Sequence, residues 1–211
     1  MFRNLLRPDS ALMITMNQIT DCIFLSLFWL LGCFPVVTAG ASFAALYDAA
    51  FRGFRKGEKH TWQRFAHVFR ANWKAGILPT AAVLGISALL LYVLIQLWNA
   101  GVEQRISFGV FSGGAFVCVL IFGMLSLMFP MLSRFENPFG AMVKNCLLLG
   151  ILNLPRTLGL GILNGLTAFV CVRFIVPLFF LPALSALLGS LLIEPVFKPF
   201  MPEEPAEEAA S

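Results

Sequence analysis

Four stretches of this chain carry almost no charge, and they limit its fold more than any other feature. Cys22 to Tyr47 is 26 residues without a charged side chain, and Ala75 to Val102 and Ile106 to Ser133 are 28 each. Thr157 to Ile193 is 37 residues interrupted only by Arg173. A helix of about 20 apolar residues crosses a bilayer. Backbone groups in lipid must bond within their own segment or a closed barrel, which favours helices here. The whole chain is 59% hydrophobic and 12% charged, with a mean hydropathy of +0.84. Soluble domains carry about 25% charged residues. The expectation is an all-α, polytopic transmembrane helical bundle.

The first apolar run contains Leu30-Leu31-Gly32-Cys33, a pattern resembling the end of a lipoprotein signal peptide. The 21 residues before Cys22 include Asp9 and Asp21, and further apolar runs follow. Signal peptides have a short basic start and a soluble mature chain after them. The segment therefore reads as the end of a helix, closed by Pro35, which disfavours helical geometry at Phe34. Cys22, Cys33, Cys118, Cys146 and Cys171 all lie in apolar segments with no CxxC spacing. They read as small hydrophobes, with no metal, no cofactor and no disulfide framework expected.

Charge sets the orientation. Arg52 to Lys74 holds seven positive side chains against Glu58 alone. Arg134 to Arg156 holds Arg134, Lys144 and Arg156 against Glu136. By the positive-inside rule both loops, 52–74 and 134–156, face the cytoplasm. With a first span at roughly Met16 to Phe34 leading outward and Thr38 to Phe54 returning, both termini are cytoplasmic and there are six crossings. If Thr38 to Phe54 only lies along the surface, there are five. Residues 1–197 then form one membrane domain in a bacterial cell membrane. Residues 198–211, acidic and proline-containing, read as a disordered tail.

Within the first basic loop, Trp62, Phe65, Phe69 and Trp73 recur at i, i+3, i+7 and i+11, one face of a helix. Arg64, Arg70 and Lys74 lie mostly off that stripe. This predicts an interfacial amphipathic helix, aromatic side in the headgroups and basic side towards anionic lipid. A partner-docking helix is the alternative. A second amphipathic helix is expected from about Pro138 to Leu152. The segments "FAHVFRANWKAGIL" and "FGAMVKNCLLLGIL" echo each other, as duplicated halves do. Two similar lead-ins arising by chance is the simpler account.

Asn17 and Asp21 lead into an apolar stretch ending "FPVVTAGASFAALYDA", followed later by "FRANWKAG" and "NLPRTL". Together these resemble the YesL family of bacterial integral membrane proteins, over about residues 1 to 197. Pro35 to Ala41 is the most specific block. The resemblance implies a family of unassigned biochemical function, often encoded beside carbohydrate-uptake and polysaccharide-breakdown genes. It implies no catalytic residues.

Charged residues in spans are costly and mark sites or boundaries. Here they are Asp21, Asp48, Arg173 and Glu194. Each reads as a boundary residue. The sharper alternative pairs Asp21 or Asp48 with Arg173 inside the bundle, with Asn17 beside them as a polar cluster. Thr38, Asn72, Asn153 and Asn164 suit hydrogen bonds between helices. The pairs Gly109/Gly113 and Gly161/Gly165 each put small residues on one helix face and predict close helix packing. No catalytic constellation stands out. His60 and His67 lack an acidic ligand set, Ser112 in "GVFSGG" has no histidine in any span to serve as base, and there is no phosphate-binding loop.

Two functions fit these residues. The first is a non-enzymatic accessory component of carbohydrate uptake, in contact with the lipid bilayer and with sugar-transporter subunits or further copies of itself. The second is a small transporter or channel for a polar solute, passing the cluster of Asn17, Asp21 and Arg173. A nucleic-acid partner is not expected.

Overall fold

A computed structural model describes residues 11–55, 57, 60–104, 107–135 and 138–197, with side chains from Gln18 onward. The acidic tail and the side chain of Asn17 lie outside the described residues. Every regular element among the described residues is helical.

Helix α1 (Ala11–Cys33) ends where Pro35 follows, and a short 3-10 turn (Val36–Thr38) reverses the chain into α2 (Ala39–Ala50). The Thr38 hydroxyl donates to the carbonyl of Gly32 at 2.7 Å, occupying one of the acceptors that a helix end leaves open. Helix α2 is made of small residues, and ten of its twelve are buried. It is the central strut of the fold, with the helices Ala11–Cys33, Thr61–Asn72, Met128–Arg134 and Leu181–Phe197 packed around it. At 12 residues, about 18 Å, it is too short to cross a bilayer alone. Its alanines let neighbours approach closely, so this part of Thr38 to Phe54 is packed inside the bundle.

A π-helical turn (Phe51–Arg55) leads to α3 (Thr61–Asn72), which runs back alongside α2. Helix α3 buries Thr61, Phe65 and Val68, while Trp62 and Trp73 are exposed. The expected aromatic stripe is thus divided. Phe65 stacks on Phe28 and on Phe69, each at 6.1 Å between centroids, holding α3 against α1. Only its two ends are left to face lipid or a partner.

Helix α4 (Ile77–Val102) and the apolar run formed by α5 (Phe108–Ser126) and α6 (Met128–Arg134) make an antiparallel hairpin. The break at Leu127 has a local cause. Pro130 has no N–H to donate to Ser126, so the helix cannot continue its bonding there. Helix α7 (Phe139–Leu152) precedes α8 (Leu154–Arg173), and a 3-10 turn (Val176–Phe179) reverses into α9 (Leu181–Phe197). Lys144 is the sole charge on α7, whose Leu147, Leu148, Ile151 and Leu152 are exposed. It is an apolar helix rather than the basic amphipathic one expected. Ile77–Val102, Phe108–Arg134 and Leu154–Arg173 are long and apolar enough to cross a membrane, while Gln18–Cys33, Phe139–Leu152 and Leu181–Phe197 are shorter apolar helices.

Helix α5 meets α8 where Gly123 lies against Gly161. A Cβ at either would collide with the backbone carbonyl of the facing helix, Thr157 or Val119. Of the glycines expected to pack, Gly161 does so. Gly113 and Gly165 have open space where a Cβ would stand, and Gly109 has only its neighbour Ser107 near. The spacing pattern missed Gly123 because its partner is on another helix, not four residues away.

Candidate functional site

The polar residues of this apolar bundle converge on the end of α2. Asp48 is fully buried. Three arginines from three elements face it. Arg64 on α3 donates Nε–H to Asp48 Oδ2 at 2.6 Å, and Arg52 in the π turn approaches Oδ1 at 3.4 Å. Arg134, at the end of α6, holds its Nε 3.9 Å from Oδ1. Its other end reaches α9, where Nη2 donates to Glu194 Oε1 at 2.9 Å. The Tyr47 hydroxyl donates to that same oxygen at 3.0 Å. Arg134 also lies over the Phe51 ring, 4.3 Å from its centroid, and Arg55 donates to the Ser190 carbonyl at 3.4 Å.

The chemistry follows from the environment. A lone buried carboxylate is prohibitively costly, so it needs cations and hydrogen bonds around it. Arginine suits this role because its guanidinium is planar, weakly hydrated and carries several donors. Arg134 is used as a bridge, joining the two carboxylates of α2 and α9. The cluster therefore ties α2, α3, α6 and α9 together at the end of the bundle that carries the basic loop.

The other expected site residues lie elsewhere. Asp21 accepts a hydrogen bond from Thr61, the first residue of α3, where a carboxylate complements the helix N-terminus. Arg173 is exposed at the C-terminal end of α8. The structure does not bring it to Asp48, whose partners are the arginines above. Arg64 turns inward to Asp48, whereas Arg70 and Lys74 are exposed, Lys74 with its Nζ 5.3 Å from the Trp73 ring centroid. Asn72 and Asn153 each donate their side-chain amide to the carbonyl four residues back, closing helix ends rather than bridging helices. Among the described residues, no group of three or more His, Cys, Asp or Glu could hold a metal ion.

Sequence reasoning missed Tyr47 and Arg134. Both lie at boundaries of apolar runs, where they pass for interfacial residues. The available signal was Asp48 itself: a carboxylate in an alanine helix, with Arg52 one turn later, must find cations nearby.

A second feature sits deeper in the bundle, between α1, α2, α4, α5, α8 and α9. It is a cavity of about 320 Å3 whose walls include Trp29, Phe43, Leu46, Val83, Phe122 and Leu160. Tyr47 reaches both the cavity and the ion cluster.

These elements define an all-α bundle with three helices able to cross a membrane, bound together at one end by a buried ionic cluster. Residues 22–94 match the profile of a family described as "Protein of unknown function, DUF624", roughly a third of the chain. The matched region runs from α1 into α4 and includes Asp48, Arg52 and Arg64, but not Arg134 or Glu194. No curated protein and no solved structure matched the chain.

Proposed function

We propose that this chain is a non-enzymatic integral component of the bacterial cell membrane, of the YesL kind, and that it serves a carbohydrate-uptake system as an accessory subunit. In this reading the basic end of the bundle and both termini face the cytoplasm. The observation that carries it is the state of Asp48. Asp48 is buried and both its oxygens are engaged by arginines, which suits a structural tie and not a carboxylate waiting for a solute. A sugar path would need polar side chains converging on open space. The apolar-walled cavity offers little of that. Helices α4 and α8 leave most of their apolar surface uncovered by the chain itself, with 17% of each span buried, so lipid or a membrane partner must cover it. Trp62, His67 and Arg70 line a shallow groove on α3 that suits headgroups or a partner loop.

The test is co-purification. Tagged protein is extracted in mild detergent and its companions are quantified by mass spectrometry. Near-stoichiometric membrane subunits of a sugar transporter are expected. Purification alone, as a monomer or homo-oligomer, overturns the accessory reading.

A further inference from the structure

Helix α3 divides its charges between two faces. Thr61, Phe65 and Val68 are buried, and Arg64 on that side is answered by Asp48 at 2.6 Å. Trp62, Gln63, His67 and Arg70 are exposed, and Trp73 and Lys74, exposed too, follow the helix end. Among the described residues no carboxylate pairs with Arg70 or Lys74. The sequence holds no Asp or Glu from Thr61 to Val102. The fold also fixes where these cations stand. The chain passes from α3 to α4 through a short turn, in which the Gly76 N–H donates to the Asn72 carbonyl at 2.8 Å. A Cβ on Gly76 would come within 2.9 Å of the Ala41 nitrogen, and Thr80 Oγ1 accepts from the Gly40 N–H at 2.8 Å. The start of α4 is thus anchored on α2. Helix α4 is a 26-residue apolar span that begins at Ile77, so Lys74 and Arg70 lie just before it in the chain. At a rise of about 1.5 Å per residue, both backbones stand within about 10 Å of its first residue. A headgroup layer roughly 5–8 Å deep borders the hydrocarbon on each side, and long basic side chains reach into it. Tryptophan favours the same layer. Trp62 and Trp73 are 52% and 47% exposed.

We propose that the exposed face of α3 binds anionic phospholipid, with Arg70 and Lys74 contacting headgroup phosphates and Trp62 and Trp73 seated in the headgroup layer. The arginine fork matches phosphate oxygens, and lysine adds a point charge. An acidic loop of a partner protein would satisfy the cations, but it would not explain two exposed tryptophans beside the start of an apolar span. The proposal rests on the membrane reading above and not on the transporter partner. Its test uses the purified chain alone, so it stands or falls separately from co-purification.

Native mass spectrometry of the full chain tests this, after exchange into delipidating detergent and titration with phosphatidylglycerol or with phosphatidylcholine of the same acyl chains. Wild type is expected to prefer phosphatidylglycerol. Arg70→Gln with Lys74→Gln should weaken phosphatidylglycerol binding about thirtyfold and Arg70→Gln alone about fivefold, with phosphatidylcholine binding unchanged. Lys144→Gln with Arg173→Gln removes two exposed cations elsewhere and should change it by less than about twofold. Each variant's melting temperature is recorded, and Arg70→Gln carries the test if the double variant does not fold. Equal affinity of wild type for the two lipids overturns the proposal, and so does phosphatidylglycerol binding that survives the α3 substitutions unchanged. A face that captures a glutamate-rich peptide and ignores phosphatidylglycerol also overturns it, and assigns the cations to a protein partner.

Discussion

Asp48→Asn keeps the shape of the side chain and removes its charge. The consequences can be worked through from the geometry. At an effective dielectric constant of about 20, one ion pair at 4 Å is worth about 4 kcal/mol before desolvation. Asp48 faces three such partners, at 2.6, 3.4 and 3.9 Å. Their side chains are not equally buried: Arg64 is 32% exposed, Arg52 25% and Arg134 9%. Solvent screens the first two, so their contributions shrink towards those of surface pairs. Arg134 is not screened, and losing Asp48 leaves it with Glu194 and the Phe51 ring alone. Breaking a buried pair from one side costs about 3–5 kcal/mol. For a chain of this size each kcal/mol moves the melting temperature by about 2–4 °C, so the expected loss is roughly 6–20 °C. The assay is thermal melting of detergent-solubilised protein, read as the surviving monodisperse peak in size-exclusion chromatography. Arg173→Gln, on an exposed side chain, should change stability by less than about 0.5 kcal/mol. Arg134→Met added to Asp48→Asn should deepen the loss, since it leaves the Glu194 carboxylate with the Tyr47 hydroxyl alone. The reasoning is refuted if Asp48→Asn melts within about 2 °C of wild type.

Three further outcomes follow from the packing and are read by the same melting assay. Gly161→Ala forces α5 and α8 apart at a backbone carbonyl and should cost about 1–3 kcal/mol, whereas Gly165→Ala meets open space and should be neutral or stabilising by up to about 1 kcal/mol; equal effects at the two positions would contradict the assigned interface. Thr80→Val strands the buried Gly40 N–H, which donates to Thr80 Oγ1 at 2.8 Å, and should cost about 1–3 kcal/mol while Thr80→Ser is tolerated; a harmless Thr80→Val would show that this bond does not matter. Tyr47→Phe removes one of two donors to Glu194 and should cost about 1 kcal/mol in the wild type but less in an Arg134→Met background, where the network is already broken; identical costs in the two backgrounds would mean the bonds are uncoupled.

How far the fold could be read in advance depended on whether a signal was local. The charge-free runs around α4, α5 and α8 announce themselves, because length and apolarity along one helix are enough. The helix boundary at Pro35 was legible for the same reason. What escaped were relations between helices. Glycine spacing marks a face but not what the face meets, so Gly165 was chosen with Gly161 and Gly123 was overlooked. The Trp62–Trp73 stripe has the right period, but which part of it is buried is decided by α1 and α2 beside it. Arg64 looked like one more headgroup contact, and only the fold brings it to a carboxylate sixteen residues earlier in the chain. The short alanine-rich α2 was ambiguous because small residues serve a crossing helix and a buried one equally well.

The claim that the buried charges close the bundle and do not line a solute path is tested most directly by flux. Purified wild-type protein is reconstituted into proteoliposomes, and entry of radiolabelled mono- and oligosaccharides is followed with and without a proton or sodium gradient. The account predicts entry no faster than into protein-free vesicles under any gradient. Saturable sugar entry that disappears in a folded Asp48→Asn protein would contradict it and make this chain a carrier in its own right.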